Sequence, residues 1–196
     1  MDGQVRLSEL IAPVFYDLHR DFQRGGHAEY WLKGGRGSAK SSFASVEVVL
    51  SILKNPDVNA VVYRKVAATL RESVYEQIGW AIGRMGLSEW FRFRLAPLEI
   101  DYLPTGQRIL FRGADDPGKS KSIKLAKGYF GLLWFEELAE LHLCVCNLRL
   151  YVDNVVASLV HLSLELCQIS RSGVKGNEGR FCNLEDLRGS GTIEQD

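Results

Sequence analysis

The sequence predicts an α/β fold, a three-layer sandwich of helices around a sheet, on three observations. A short apolar run, Tyr30-Trp31-Leu32, leads through a glycine-rich octet, residues 34–41, into the apolar segment Ser42–Leu50. Ala60-Val61-Val62-Tyr63 is a compact β-branched run closed by Arg64-Lys65. Gly128–Phe135 is almost wholly apolar and ends in Glu136-Glu137. Short apolar runs bounded by turns and charges are the mark of buried strands. At 196 residues the chain is long enough for one domain with a sizeable core. Hydrophobic content of 46% and charged content of 24% are those of a soluble globular protein. The formal net charge is zero, so composition selects neither nucleic acid nor membrane. No apolar run approaches the ~18–20 residues that span a bilayer. The N-terminus lacks the basic and apolar segments of a secretory signal. The expected compartment is the cytoplasm, with no membrane partner.

In chain order, Leu7, Leu10, Ile11, Val14, Phe15, Leu18 and Phe22 fall at three- and four-residue spacing. They predict an amphipathic helix over residues 5–22 with a kink at Pro13, ended by Gln23-Arg24-Gly25-Gly26. Phe22 and Gln23, shortly before the glycine-rich octet, are candidates for an adenine pocket; core packing is the competing role for Phe22. A strand over Glu29–Leu32 follows.

The octet itself is Gly34-Gly35-Arg36-Gly37-Ser38-Ala39-Lys40-Ser41, followed by Ser42. Strand, glycine-rich loop, lysine, hydroxyl and helix is the layout of a phosphate-binding P-loop. Small residues let backbone N–H groups converge on phosphate oxygens, and the helix N-terminus adds its positive dipole end. Lys40 would reach the β- and γ-phosphates of ATP, and the Ser41 hydroxyl would ligate Mg²⁺. Ala39 stands where a glycine normally precedes the lysine. The competing reading is a Gly/Ser-rich turn that happens to precede a helix. That helix runs from Lys40 to Leu53 and is broken by Asn55-Pro56-Asp57.

The Ala60–Tyr63 strand carries Arg64 and Lys65 at its carboxyl end, which faces the ligand crevice of open α/β sheets. They are candidates to touch phosphate or nucleic acid, or else a solvated basic pair. Val66, Leu70, Val74, Ile78 and Ile82 repeat every four residues, predicting one long helix from Val66 to Met85. Trp90–Arg94 alternates aromatic and basic residues, as a half-buried strand or a nucleic-acid surface would. Leu98–Leu103 and Arg108–Arg112 flank Pro104-Thr105-Gly106-Gln107 as a hairpin or adjacent strands. Lys119, Lys121, Lys124 and Lys127 follow within nine residues, as a solvated face or a polyanion contact.

The strand Gly128–Phe135 would bring Glu136-Glu137 to the sheet edge beside the P-loop. Glu136, an Asp in most such sites, would hold Mg²⁺ through water, and Glu137 would polarise the attacking water. Helix starts also favour acids, so the pair carries weight only because a P-loop precedes it by about 95 residues.

Together these residues resemble the large terminase subunit of tailed bacteriophages and prophages, in its PBSX-type branch. The resemblance runs from about Tyr16 to Leu141. It takes in the loop through Ser42, Arg64-Lys65, Leu70–Val74, Pro97–Ile100, Thr105-Gly106-Gln107, Ile109–Gly113, Asp115-Asp116-Pro117, Lys121–Lys124 and Leu133–Leu138. It implies an ATPase of the additional-strand, catalytic-glutamate class that hydrolyses ATP to drive double-stranded DNA into the procapsid. It also implies that Arg36 senses or stabilises the γ-phosphate, that Lys40 and Glu137 are catalytic, and that Ser41 and Glu136 serve Mg²⁺. Arg64, Lys65, Lys121 and Lys124 are the DNA or coupling candidates. The implied partners are the terminase small subunit and the portal protein, in a ring homo-oligomer inside the bacterial host cytoplasm.

Three regions are expected: a helical lead-in over 1–28, the ATPase core over 29–141 and a divergent tail over 142–196. The tail holds every cysteine (Cys144, Cys146, Cys167 and Cys182) without a zinc-finger spacing. Its alternation over Leu159–Ile169 predicts one strand, and its composition from Ser170 onward predicts disorder. A coupling segment and nuclease domain are not recognisable there. The expected cause is a frameshift or truncation, which leaves the fold incomplete on its C-terminal side. The alternative function is an inactive prophage remnant that binds nucleotide or DNA weakly without turnover.

Overall fold

A computed structural model describes residues 5–114, 124–137, 158–163 and 180–183. The lead-in is two helices rather than one kinked helix: α1 (Leu7–Leu10) and α2 (Tyr16–Arg24), joined by a 3₁₀ turn at Pro13–Phe15. Proline disfavours a helical residue before it. Ala12 is accordingly extended at φ −69°, ψ 147°, with Pro13 as the first residue of the new turn. Gly25, left-handed at φ 66°, closes α2.

After α2 come strand β1 (Glu29–Lys33), helix α3 (Lys40–Lys54) and strand β2 (Val58–Arg64). Nine residues of α3 are buried, among them Phe43, Val46, Val49 and Ile52. Asn55 stops the helix, its Oδ1 accepting the Asp57 N–H at 3.1 Å.

The long helix expected over Val66–Met85 is interrupted. A 3₁₀ turn at Ala67–Thr69 and a π-turn at Arg71–Tyr75 precede α4 (Glu76–Arg84). The π-turn is defined by the Tyr75 N–H bonding the Leu70 carbonyl, five residues back, at 3.1 Å. It delivers Tyr75 to Phe111, with ring centroids 5.1 Å apart, and its hydroxyl donates to the Arg94 carbonyl at 3.1 Å. The four-residue stripe holds for Leu70, Val74, Ile78 and Ile82, all buried, and fails at Val66, which is exposed.

Strands β3 (Phe91–Leu95), β4 (Leu98–Tyr102), β5 (Gln107–Gly113) and β6 (Tyr129–Phe135) complete the central part. Trp90–Arg94 is thus mostly strand, and the expected hairpin is β4–β5, antiparallel with Tyr102 opposite Gln107. Gly128 opens β6 at φ 70°; a Cβ there would sit 2.0 Å from the Asp57 carbonyl oxygen, so only glycine fits.

β7 (Ser158–Ser163) and β8 (Arg180–Asn183) come from the segment expected to be divergent. β7 overlaps the first half of the strand expected over 159–169, and β8 lies inside the stretch expected to be disordered. The remaining tail residues, with Cys144, Cys146 and Cys167, lie outside the described residues, as do Lys119 and Lys121.

All eight strands form one sheet in the order β3-β4-β5-β2-β6-β7-β1-β8. From β5 to β8 every neighbour is parallel; β4 and β3 extend the sheet antiparallel at one edge. One face packs Ala60, Val62, Ile109, Leu132 and Trp134 into the main core with α3 and α4. On the opposite face Tyr63, Leu110, Leu133 and Phe135 are also buried. A sheet withdrawn from solvent on both faces is what three layers require, and each such side chain contributes about 1.5–3 kcal/mol. No helix among the described residues is long and apolar enough to cross a membrane.

Candidate nucleotide site at the carboxyl edge of the sheet

Because β1, β2 and β6 are parallel, their carboxyl ends share one edge. The glycine-rich loop follows β1, Arg64 ends β2, and Glu136-Glu137 follow β6. Three stretches far apart in sequence therefore meet by sheet topology.

The loop folds around its own lysine. Lys40 is buried, and its Nζ donates to the carbonyl oxygens of Gly34 at 2.6 Å and Gly35 at 3.0 Å, and to Ser38 Oγ. Ser38 Oγ in turn donates to Gly35 O at 2.7 Å. Burial pulls the Lys40 pKa down from the ordinary lysine range, while the nearby Glu136 pushes it up. Gly37 turns the loop at φ 75°. Ala39 also sits in the left-handed region, at φ 60°, ψ 15°. The glycine usual at this position therefore has a backbone reason here, and the alanine Cβ carries the strain. Arg36 is exposed on the loop, and Ser42 is half-buried with its hydroxyl 3.4 Å from Gln77 Nε2.

Ser41 Oγ donates to Glu136 Oε1 at 2.9 Å, across 95 residues of sequence. The indole Nε1 of Trp134 donates to Glu136 Oε2 at 3.1 Å. Glu136 is buried, and burial pushes its carboxyl above the ordinary range; Ser41 and Trp134 oppose that shift, and neighbouring Glu137 adds to it. A hydroxyl and a buried carboxylate are an oxygen donor set suited to Mg²⁺, which would offset the burial of that charge. Sequence reasoning missed Trp134. It stands two residues before Glu136, near the end of β6, so strand alternation carried just past the strand end was the available signal.

Glu137 has φ 54°. Its Oε2 accepts from Arg64 Nε at 3.1 Å and Nη2 at 2.5 Å, and Arg64 Nη1 also donates to the Thr69 carbonyl at 3.3 Å. Both side chains are about four-fifths buried, at 19% and 22% exposed. Arg64 is thus bound to the acid beside it rather than presented to solvent, while Lys65 is exposed. Lys124 is exposed and lies away from this site.

Phe22 and Gln23 do not reach the site. Gln23 Nε2 donates to Glu47 Oε2 at 2.8 Å, and Lys54 Nζ donates to Gln23 Oε1 at 3.2 Å. Lys54 ends α3, fourteen residues beyond Lys40, about 21 Å along the helix. Phe22 packs on Tyr30, near the start of β1, at 5.2 Å. The residues expected to form an adenine pocket therefore bolt α2 to the far half of α3. Glu47 itself is fully buried, bonded also by His19 Nδ1 at 2.5 Å; burial raises its carboxyl pKa against the pull of these partners. Among the described residues no three His, Cys, Asp or Glu side chains group as a metal cluster.

A P-loop and a strand-borne pair of glutamates, separated in the sheet by the inserted strand β7, define a P-loop nucleoside-triphosphatase fold of the additional-strand, catalytic-glutamate class. The family model described as phage terminase large subunit matches residues 27–148. The chain belongs to the phage terminase large subunit family. It is 40% identical over 137 residues to the terminase large subunit of Bacillus phage SPP1, covering 70% of this chain and 32% of that protein. It is 34% identical over 110 residues to the PBSX phage terminase large subunit of Bacillus subtilis, covering 56% of this chain and 24% of that protein. The chain thus spans about a third or less of these two relatives. The large terminase of a thermophilic bacteriophage, solved in complex with ATP-gamma-S, shares the fold at a TM-score of 0.56 and 15% identity, over 77% of this chain and 37% of that one.

Proposed function

We propose that this chain is the ATPase motor part of a viral DNA-packaging terminase, hydrolysing ATP to drive DNA into the procapsid. The observation that carries the reading is the Ser41–Glu136 hydrogen bond beside the loop-enclosed Lys40. It joins the phosphate-binding and acidic halves of a hydrolytic site. The thermophilic phage terminase of the same fold, solved in complex with ATP-gamma-S, supports nucleotide binding by this chain.

Phosphate oxygens would replace the loop carbonyls as partners of Lys40, with residues 34–42 supplying backbone N–H donors and Arg36 reaching the γ-phosphate. Ser41 and Glu136 would hold Mg²⁺, which when bound neutralises charge on the β- and γ-phosphates. Glu137 orients and polarises the attacking water and accepts its proton. Arg64 makes both its bonds to Glu137 on Oε2, which leaves Oε1 as the base and fixes its direction. Arg64 is accordingly a positioning residue. It also joins the end of β2 to the base, a route by which a DNA contact can alter hydrolysis; Lys65, Lys121 and Lys124 remain the DNA-side candidates. On this reading the terminase small subunit, the portal protein and a ring of like subunits are its partners in the host cytoplasm.

Phosphate release by the purified chain with Mg²⁺ tests this. Lys40→Ala should fall to background and Glu137→Gln should lose about a hundredfold or more, to a residual rate, while the circular dichroism stays that of the parent. Equal release by all three proteins would sink the motor reading. Nucleotide binding without turnover in the parent would point to a remnant.

A further inference from the structure

The antiparallel edge of the sheet carries a second charged feature that ATP hydrolysis does not use. Strand alternation places Arg92 and Arg94 of β3, Glu99 and Asp101 of β4, and Arg108 and Arg112 of β5 on one face. The register sets Arg92 opposite Asp101 and Asp101 opposite Arg108. Lys124 joins them at the rim of a cavity of about 600 Å³ lined by Arg92, Arg94, Asp101, Arg108 and Lys124 among others.

The ion pairs on this face leave positive charge over. Glu99 is used twice, by Arg112 Nη2 at 2.9 Å and Arg108 Nη1 at 3.4 Å. Asp101 pairs with Arg94 through one oxygen; its other oxygen is buried and has no hydrogen-bond partner among the described residues. Arg94, 41% exposed, therefore keeps guanidinium donors to spare. Arg92 and Lys124 are exposed and have no carboxylate partner among the described residues. Five cations face two carboxylates. Arg92 and Arg94, two residues apart on one strand, form a row spaced by about 6.8 Å.

We infer that this cavity grips the phosphodiester backbone of double-stranded DNA. Guanidinium forks match phosphate oxygens, and a surplus of cations over carboxylates around one cavity suits the densely charged phosphate backbone of a polyanion. The inference rests on the reading of DNA as this chain's partner. It moves the contact from Arg64, which Glu137 occupies, to the β3–β5 edge.

The test is anisotropy of a fluorescent 30-base-pair duplex against the full chain, titrated over NaCl. Each phosphate contact contributes about 0.9 to the slope of log K against log salt. Arg92→Ala with Lys124→Ala should reduce that slope by about 2, and Arg92→Lys alone should keep it. Arg20→Ala with Arg24→Ala on α2 removes the same net charge and should leave the slope unchanged. Sodium phosphate should compete no better than NaCl of equal ionic strength, and poly-glutamate of equal charge should compete worse than unlabelled duplex. An unchanged slope in the cavity variant, or an equal loss in the α2 control, overturns the inference. So does displacement by millimolar phosphate beyond ionic strength, which would mark a small-anion pocket, or by poly-glutamate as well as by duplex, which would mark an acidic-protein surface. A chain without hydrolysis but with the predicted slopes would fail the motor reading and leave this one standing.

Discussion

Removing the Arg64 guanidinium tests how the base is held. In Arg64→Ala the Glu137 carboxylate loses two charge-assisted hydrogen bonds on Oε2, at 3.1 and 2.5 Å. A hydrogen bond to a charged group is worth about 1.5–3 kcal/mol. With a fifth of each side chain exposed, water recovers part of that. We take about 1.4–2.8 kcal/mol as the loss of positioning in the transition state, a tenfold to hundredfold fall in kcat. KM for ATP should move less than threefold, since Arg64 touches no loop residue. The assay is steady-state phosphate release by Arg64→Ala, Arg64→Lys, Glu137→Gln and the double variant Arg64→Ala/Glu137→Gln. Lysine, a point donor on a shorter reach, should recover part of kcat. In the Glu137→Gln background the Arg64 change should cost under twofold, because the two residues act as a unit. An unchanged or raised kcat in Arg64→Ala, or full additivity in the double variant, would refute the positioning role.

Three further outcomes follow from the same geometry. Ala39→Gly relieves a left-handed alanine, worth about 1–2 kcal/mol, against ~0.4–1 kcal/mol of extra unfolded-chain entropy. The net gain of about 0.5–1 kcal/mol should raise the melting temperature by ~1–4 °C, and Ala39→Val should lower it. Glu136→Gln, without nucleotide, should melt higher than the parent at pH 8. The folded pKa of Glu136 is raised, so its contribution is favourable below the unfolded carboxylate range and is lost as pH rises through the folded value; the gap should close as pH is lowered toward 4.5. Gln23→Ala should leave the dissociation constant of a fluorescent ATP analogue within twofold while lowering urea stability by about 1–3 kcal/mol, since it strips a donor from the buried Glu47; a tenfold loss of ATP affinity would restore Gln23 to an adenine pocket.

The parts of the site that were legible in the sequence are those written in contiguous residues. The octet at 34–41, the apolar run before Glu136 and the β-branched run before Arg64 each announce an element and what stands at its end. What escaped depends on register and on contacts between distant segments. The Arg64–Glu137 pair exists because β2 and β6 are neighbours, with Tyr63 beside Phe135. Nothing local to either residue says so. Gln23 was misplaced because closeness in sequence to the loop was taken for closeness in space, whereas α2 runs against the far half of α3. The π-turn at Arg71–Tyr75 was hidden by a stripe of every fourth residue, which continues on either side of one inserted residue. The alternation from Leu159 onward did announce β7, whereas β8 sits in a stretch rich in Gly, Ser, Asn and charge, and its place comes from pairing with β1.

That pairing sets an order of assembly. The strand that carries the nucleotide loop is flanked on one side by β7 and on the other by β8, and both lie more than a hundred residues further along the chain. While the polypeptide is being made, β1 has no partner on either edge. At about 5–20 residues per second the wait before β7 is synthesised is roughly 6–25 s. Before then the strands β3, β4, β5, β2 and β6 can pair among themselves, but β6 lacks β7 and the loop hangs from an unpaired strand. ATP therefore meets a competent pocket only once β7 and β8 have been made, and any nascent chain cut short before β7 leaves both edges of β1 and one edge of β6 open, on which another unfinished copy can dock.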